Sequence, residues 1–266
     1  MGDSAIPLLE IQELNKSFGG LQAVKGASLA LREGNLVGLI GPNGAGKTTV
    51  FNLISGIYRP TEGSIQFCGE EITGLKSHQV AARGIARTFQ NIRLFKELTV
   101  LENVRIAHHP YAGYSLLDSV VRTRKFRWGE KRLAEEAREL LATFGLQDRA
   151  GEVARNLPYG EQRKLEIARA LAMQPRLLLL DEPAAGMNPQ EIESLMQLIE
   201  LVKERFHLTI LLIEHQMRVV MGICQSILVM DFGEIIARGS PHEIQRDPRV
   251  IEAYLGRQAG QHAAAN

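Results

Sequence analysis

Hydrophobic positions along the chain follow two patterns. Uninterrupted apolar runs occur at "LVGLI" (36–40), within "RLLLLDE" (176–182) and in "LTILLIEH" (208–215). Runs of this length without polar alternation suit strands buried on both faces of a parallel sheet. Helical patterns lie between them, and that alternation predicts an α/β fold. The first third reads differently: "ASLALRE" (Leu29, Leu31) and "GSIQFCG" (Ile65, Phe67) alternate and are punctuated by glycine, as strands with one buried face do. From about residue 91 to 157 the strand signals fade. "LTVLENVRIA" opens with a capping box, Thr99 with Glu102, and Leu133, Ala137, Leu140, Leu141 and Phe144 keep helical spacing up to Gly145. This stretch reads as a helical subdomain inserted in the α/β body. "SILVMDFGEIIARG" predicts a hairpin turning at Asp231 to Gly233, and "RQAGQHAAAN" a frayed tail. The predicted organisation is therefore 1–90, antiparallel β plus the first core strand; 91–157, helical; 158–256, the rest of the core; and 257–266, tail.

Composition narrows the function classes. The 266 residues carry 31 basic and 30 acidic side chains, a net charge of +1, so there is no overall field to steer nucleic acid, and no nucleic-acid partner is expected. Cys68 and Cys224 match no metal spacing or secreted disulfide framework and read as free thiols in a reducing compartment. The start "MGDSAIPLLEIQEL" resembles neither a secretory signal nor a myristoylation site, and no apolar run approaches membrane-spanning length. If the protein works at a membrane, another chain supplies the spanning helices.

The chemistry concentrates at two places. "GPNGAGKTT" (Gly41, Pro42, Asn43, Gly44, Ala45, Gly46, Lys47, Thr48, Thr49) fits G-x-x-x-x-G-K-[ST] between a predicted strand and a predicted helix. Its glycines let backbone N–H groups converge on a phosphate chain, Lys47 neutralises the β and γ phosphates, and the Thr48 hydroxyl suits Mg²⁺. Farther on, four leucines place Asp181 and Glu182 at the carboxyl end of a buried strand, where ligands gather in open α/β sheets. Asp181 is the candidate Mg²⁺ ligand. Glu182, with no basic partner nearby in sequence, is the candidate to deprotonate an attacking water. "NLPYGEQRKLEIARAL" (156–171) opens another helix at a turn, and such a helix start attracts anions.

With these motifs together, the sequence resembles the ATP-binding subunit of ABC transporters from about residue 8 to 256. The resemblance implies a P-loop NTPase of ABC type, with a mostly parallel core sheet, an antiparallel β subdomain and an inserted helical subdomain. It implies that Phe18 stacks on adenine, that Gln90 links Mg²⁺ to a transmembrane partner, and that His215 is the switch histidine contacting the γ phosphate. "LPYGE" stands where the family has L-S-G-G-Q, so Gly160 and Glu161 are expected to act in trans on ATP held by an opposite subunit. Pro158, Tyr159 and Asn188 replace the family's serine, glycine and D-loop aspartate, and contacts of those side chains do not carry over. "YGEQRKLEIARAL", "EPAAGMNP", "LLIEHQM" and "VIEAYLG" look most like the first ATPase subunit of bacterial branched-chain amino acid importers, the LivG type; relatives serving amides, urea or lipopolysaccharide export share parts of the pattern. ATP and Mg²⁺ are the implied cofactors. The implied partners are a second, LivF-like ATPase subunit or a second copy of the chain, two transmembrane permease subunits and, indirectly, a periplasmic binding protein. The implied location is peripheral, on the cytoplasmic face of the bacterial inner membrane. A soluble relative acting on nucleic acid or ribosomes usually has two ATPase units or a long coiled-coil insertion, whereas one phosphate loop stands here.

Other features have plainer readings. Phe18 could also be a core aromatic, and His215 a satisfied histidine after a strand. "DFG" (231–233) imitates a kinase metal motif without the accompanying kinase loops and reads as turn chemistry. The adjacent histidines in "AHHP" (107–110) point apart on a helix and are expected to be exposed. "RTRKFRW" (122–128) suits a solvated face, a membrane-side contact or, last, nucleic acid.

Overall fold

The protein is described by a computed structural model covering residues 6–108 and 113–254, so the expected tail and the outer half of "AHHP" lie outside the described residues. The chain begins with the hairpin of β1 (Leu9–Phe18) and β2 (Leu21–Leu31), then runs through β3 (Leu36–Ile40) and a glycine loop into α1 (Lys47–Ile54). β4 (Glu62–Phe67) and β5 (Glu70–Glu71) return beside β1, and α2 (Ser77–Ala82) leads to β6 (Ile85–Arg87). Three helices follow, α3 (Val100–His108), α4 (Leu116–Val121) and α5 (Arg124–Thr143), before α6 (Tyr159–Leu171) and β7 (Leu177–Asp181). The remainder alternates: α7 (Pro189–Arg205), β8 (Thr209–Ile213), α8 (Met217–Ile223), the hairpin β9 (Ser226–Asp231) and β10 (Glu234–Gly239), and α9 (Pro241–Ile244).

Two sheets result. One is antiparallel, in the order β2-β1-β4-β5. The other has the order β10-β9-β3-β8-β7-β6 and is parallel except where β10 pairs with β9. Every residue of β3, β7 and β8 is buried, as the unbroken apolar runs predict. Because successive side chains point to opposite faces, each run feeds two cores. Leu36, Ile40, Leu178, Leu180, Ile210 and Leu212 join the helical layer, while Val37, Leu39, Leu177, Leu179, Leu211 and Ile213 pack toward α1 and the antiparallel sheet.

The helical stretch is closed at its base by an isolated bridge between Thr99 and Val153 and by N–H donation from Val100 to the Glu152 carbonyl. The Thr99–Glu102 capping box forms: each side chain accepts from the other residue's backbone N–H. Leu133, Ala137, Leu140, Leu141 and Phe144 are all buried, and Gly145 takes a left-handed φ of 66° just beyond α5. α3 packs on both α5 and α6. This packing overturns the expected exposure of the histidines at one residue: His108 is buried at the end of α3, its Nδ1 3.9 Å from Glu136 on α5, and burial lowers its pKa. His109 lies outside the described residues.

Candidate functional site

The glycine loop joins the end of β3 to α1 in a path only glycine can follow at two points. Gly41 (φ 148°) and Gly46 (φ 104°) sit so close to neighbouring backbone that a Cβ would lie 2.0 Å from the Met230 carbonyl oxygen and 2.4 Å from that of Ala23. The neighbours come from elsewhere in the chain. The turn at Phe232 and Gly233 has positive φ at both residues, as a tight hairpin needs, and it braces the loop: Gly233 N–H donates to Ala45 at 3.0 Å. "DFG" is thus turn chemistry, with a supporting role for the loop that its sequence did not signal. Lys47 is buried, its Nζ donating to the carbonyls of Gly41 (2.8 Å) and Pro42 (2.9 Å) at the base of the loop. α1 has no side-chain cap and no acidic residue in its first turn, which leaves its N-terminus receptive to an anion.

The loop faces a cleft of about 880 Å³ lined by Phe18, Asn43, Gly44, Ala45, Gly46, Lys47, Thr48, Thr49, Gln90, Glu182, His215, Phe232 and neighbours from β2. Phe18 stands at its edge, 42% exposed, with its ring edge-on to Tyr58 at 5.1 Å and the Lys16 ammonium 4.9 Å from its centre. Core packing therefore does not account for it. Across the cleft, three loops from the carboxyl ends of β6, β7 and β8 converge. Glu182 Oε1 is 2.8 Å from His215 Nε2, and its Oε2 accepts from Gln90 Nε2 at 2.8 Å. The basic partner that Glu182 lacks nearby in sequence is thus supplied by the adjacent strand.

Asp181 is placed differently. It is buried and does not line the cleft; its Oδ2 accepts from Arg87 Nη2 at 2.8 Å. Arg87 also donates to Asn52 (2.6 Å) on α1 and to Ser55 (3.1 Å) just beyond it, and its guanidinium lies over the rings of Phe51 and Phe89. Gly41 and Pro42, where the loop begins, also lie outside the cleft lining. Gly160 and Glu161 line a separate groove with Asn188 and Glu191, and Glu161 pairs with Arg149 at 3.1 Å. They are not brought to the cleft of their own chain.

Three further charged residues shape the site. Glu214, buried between Ile213 and His215, accepts from the backbone N–H of Ala184 (2.7 Å), His215 (3.1 Å) and Gln216 (3.3 Å), tying the loop after Glu182 to the one carrying His215. Burial pushes its carboxyl pKa up, those three N–H groups pull it down, and the nearby Glu182 charge pushes it up again. Arg163 and Glu166 form a buried pair on α6. Arg163 donates to the Phe89 carbonyl at 2.7 Å and the Gln90 carbonyl at 2.8 Å, so α6 holds the Gln90 loop directly. The available signal was two charges on the face that also carries Ile167 and Ala170.

A strand, a phosphate loop and a helix facing a carboxylate at the edge of a parallel sheet define a P-loop nucleoside triphosphatase. Residues 24–185 match the ABC transporter family, and residues 234–260 match the branched-chain amino acid ATP-binding cassette transporter family. The chain is 47% identical to the high-affinity branched-chain amino acid transport ATP-binding protein BraF of Pseudomonas aeruginosa and 46% identical to LivG of Escherichia coli, covering 94% of this chain and 98% of each relative. The lipopolysaccharide export ATP-binding protein LptB of Haemophilus influenzae is 36% identical over 94% of this chain and 98% of its own length. Among solved structures, the ADP conformation of MJ1267, an ATP-binding cassette of an ABC transporter, superposes with a TM-score of 0.82 at 32% identity, covering 95% of this chain and 100% of that one. The dimeric post-hydrolysis cassette MJ0796 bound to ADP and phosphate gives 0.74 at 26% identity, over 88% and 98%. The chain belongs to the ABC transporter family of ATPases.

Proposed function

We propose that this chain is the ATP-binding and ATP-hydrolysing subunit of an importer that carries branched-chain amino acids across the bacterial inner membrane. The observation that carries the catalytic part is the Glu182 carboxylate, held by His215 and Gln90 across the cleft from the phosphate loop. A carboxylate offers about four acceptor positions, so two hydrogen bonds leave it able to take a proton from water. Lys47 and the loop N–H groups bind the phosphates, Phe18 stacks on the base, and His215 senses the γ phosphate. Thr48, Gln90 and Asp181 offer the hard oxygen donors Mg²⁺ prefers; when bound, the ion neutralises phosphate charge. Asp181 would join them only by giving up its ion pair with Arg87. Gly160 and Glu161 complete the ATP site of an opposing ATPase subunit, a LivF-like chain or a second copy.

The cargo rests on the names of relatives 46% and 47% identical along nearly their whole length, and on the C-terminal match. Among the described residues no helix is long and apolar enough to cross a membrane. Two permease subunits would therefore provide the path, with a periplasmic binding protein delivering the solute and this chain bound at the cytoplasmic face. The test is uptake of labelled leucine, isoleucine and valine by cells carrying Lys47→Ala. Loss of uptake, restored by the wild-type chain, supports the reading; full uptake of all three overturns it.

A further inference from the structure

Residues 113–128 do not line the ATP cleft, and they carry an exposed surface of mixed apolar and basic character. On α4, Leu117, Val120 and Val121 recur at i, i+3 and i+4 and are 78%, 80% and 72% exposed. Single exposed apolar side chains are common, but a continuous stripe marks a contact site. Next to it Arg122, at the end of α4, and Arg124, Lys125, Arg127 and the indole of Trp128, at the start of α5, are exposed. Among the described residues none of these four cations forms an ion pair; Arg127 Nε donates to the Arg122 carbonyl at 3.3 Å, and Lys125 only helps to lower the Asp118 pKa, which hydrogen bonds from Ser115 chiefly depress.

The acids in this region are consumed internally. Asp118 accepts from the Ser115 backbone and from the hydroxyls of Ser115 and Thr123, and Glu130 is bound by Arg105 and the Tyr114 hydroxyl. Thr123 in turn caps α5 through the Phe126 N–H, and Phe126 meets the Tyr114 ring at 5.0 Å. The stripe and the cations are therefore held in one fixed arrangement. With a whole-chain charge of +1, this cluster is a local feature and not part of a general basic field.

We propose that the exposed face of α4, with Arg122, Arg124, Lys125 and Trp128, docks on an anionic phospholipid surface. Leu and Val side chains suit the boundary between headgroups and acyl chains, an indole prefers the headgroup level, and arginine and lysine pair with lipid phosphates. Nucleic acid fits less well, because an aliphatic stripe offers nothing to a phosphodiester and a single exposed indole gives one stacking platform. Lipid contact requires neither ATP nor a particular cargo, so its failure and a failure of transport are separate results.

Trp128 is the only tryptophan in the chain, so its fluorescence reports on this face alone. The purified chain would be titrated with vesicles of phosphatidylcholine containing phosphatidylglycerol, and with phosphatidylcholine alone. Docking moves Trp128 emission to shorter wavelength with the anionic vesicles only. Arg124→Glu combined with Lys125→Glu weakens that binding roughly tenfold or more while basal ATP hydrolysis is unchanged. An emission that stays put with anionic vesicles overturns the proposal, and a shift seen only when permease proteins are present in the vesicle assigns the face to a protein and overturns it equally.

Discussion

Glu182 occupies a left-handed backbone position, φ 47°, which costs a residue with a Cβ on the order of 1 kcal/mol. The strain is held by its N–H bond to the Ile213 carbonyl and by the Glu214 tie between the two loops. The proposed general-base role of Glu182 predicts that Glu182→Gln still binds ATP while turnover falls by roughly 10² to 10⁴; single-turnover kinetics beside an ATP-binding titration would check both halves, and wild-type turnover would remove the role. Arg87 makes a different prediction. Its ion pair with Asp181 is almost fully buried, so Arg87→Met leaves a carboxylate without its counter-ion and should cost about 3–5 kcal/mol, read from chemical denaturation. An unchanged midpoint would mean that the pair contributes nothing to stability. Arg87 is not legible in the sequence because Asp181 lies 94 positions away, and although Arg163 and Glu214 have partners close by in Glu166 and His215, their reach to the Gln90 loop and to Ala184 depends on the fold.

At the scale of elements, the phosphate loop depends on a hairpin nearly two hundred residues downstream. Gly41→Ala would force the loop away from the Met230 carbonyl, so ATP affinity should fall even though Lys47 is retained; calorimetric titration with ATP measures it. The packing of α3 on α5 has its own signature. Burial lowers the His108 pKa, the Leu133 carbonyl and Glu136 offset this in part, and the unfolded chain therefore binds the proton first as pH falls. Stability from this contact is complete above the ordinary histidine value of 6.5 and is lost as pH falls below it toward the lowered folded value. Urea unfolding at about pH 7.5 and about pH 5.5 should show a larger loss for the wild type than for His108→Leu; equal losses would mean that His108 takes up its proton without cost. The capping box and the α5 periodicity could be read directly, because both are local. The burial of His108 could not, since it depends on which face of α3 meets α5.

For the whole molecule, the separation of the cleft from the Gly160 groove bears on assembly. A chain whose α6 start lines a groove apart from its own phosphate-loop cleft is expected to pair with another ATPase subunit. Glu182→Gln should go from monomer to dimer by light scattering when ATP and Mg²⁺ are added, if two copies suffice. A monomer that binds ATP would direct the search to a distinct partner and count against self-pairing. Pro158 lines that groove and Tyr159 follows it at the start of α6, so swapping in Ser and Gly should strengthen the dimer if side-chain contacts there matter; no change would leave the contact to the α6 backbone.

What the sequence determined by itself was whatever is encoded in neighbouring residues. The phosphate loop is nine consecutive positions, the apolar runs announce strands covered on both faces, and the Thr99 and Gly145 signals bound helices through hydrogen bonds and backbone freedom within a few residues. Tertiary structure alone decided how the charges pair. His215 reaches Glu182 because β8 lies beside β7, Gln90 reaches it because β6 lies on β7's other side, and Arg87 closes on Asp181 across the β6–β7 boundary. Those pairings span 33, 92 and 94 positions of chain. Periodicity predicts that strands exist, but their order in the sheet follows from packing both faces at once, and with that order came the partners of Asp181 and Glu182.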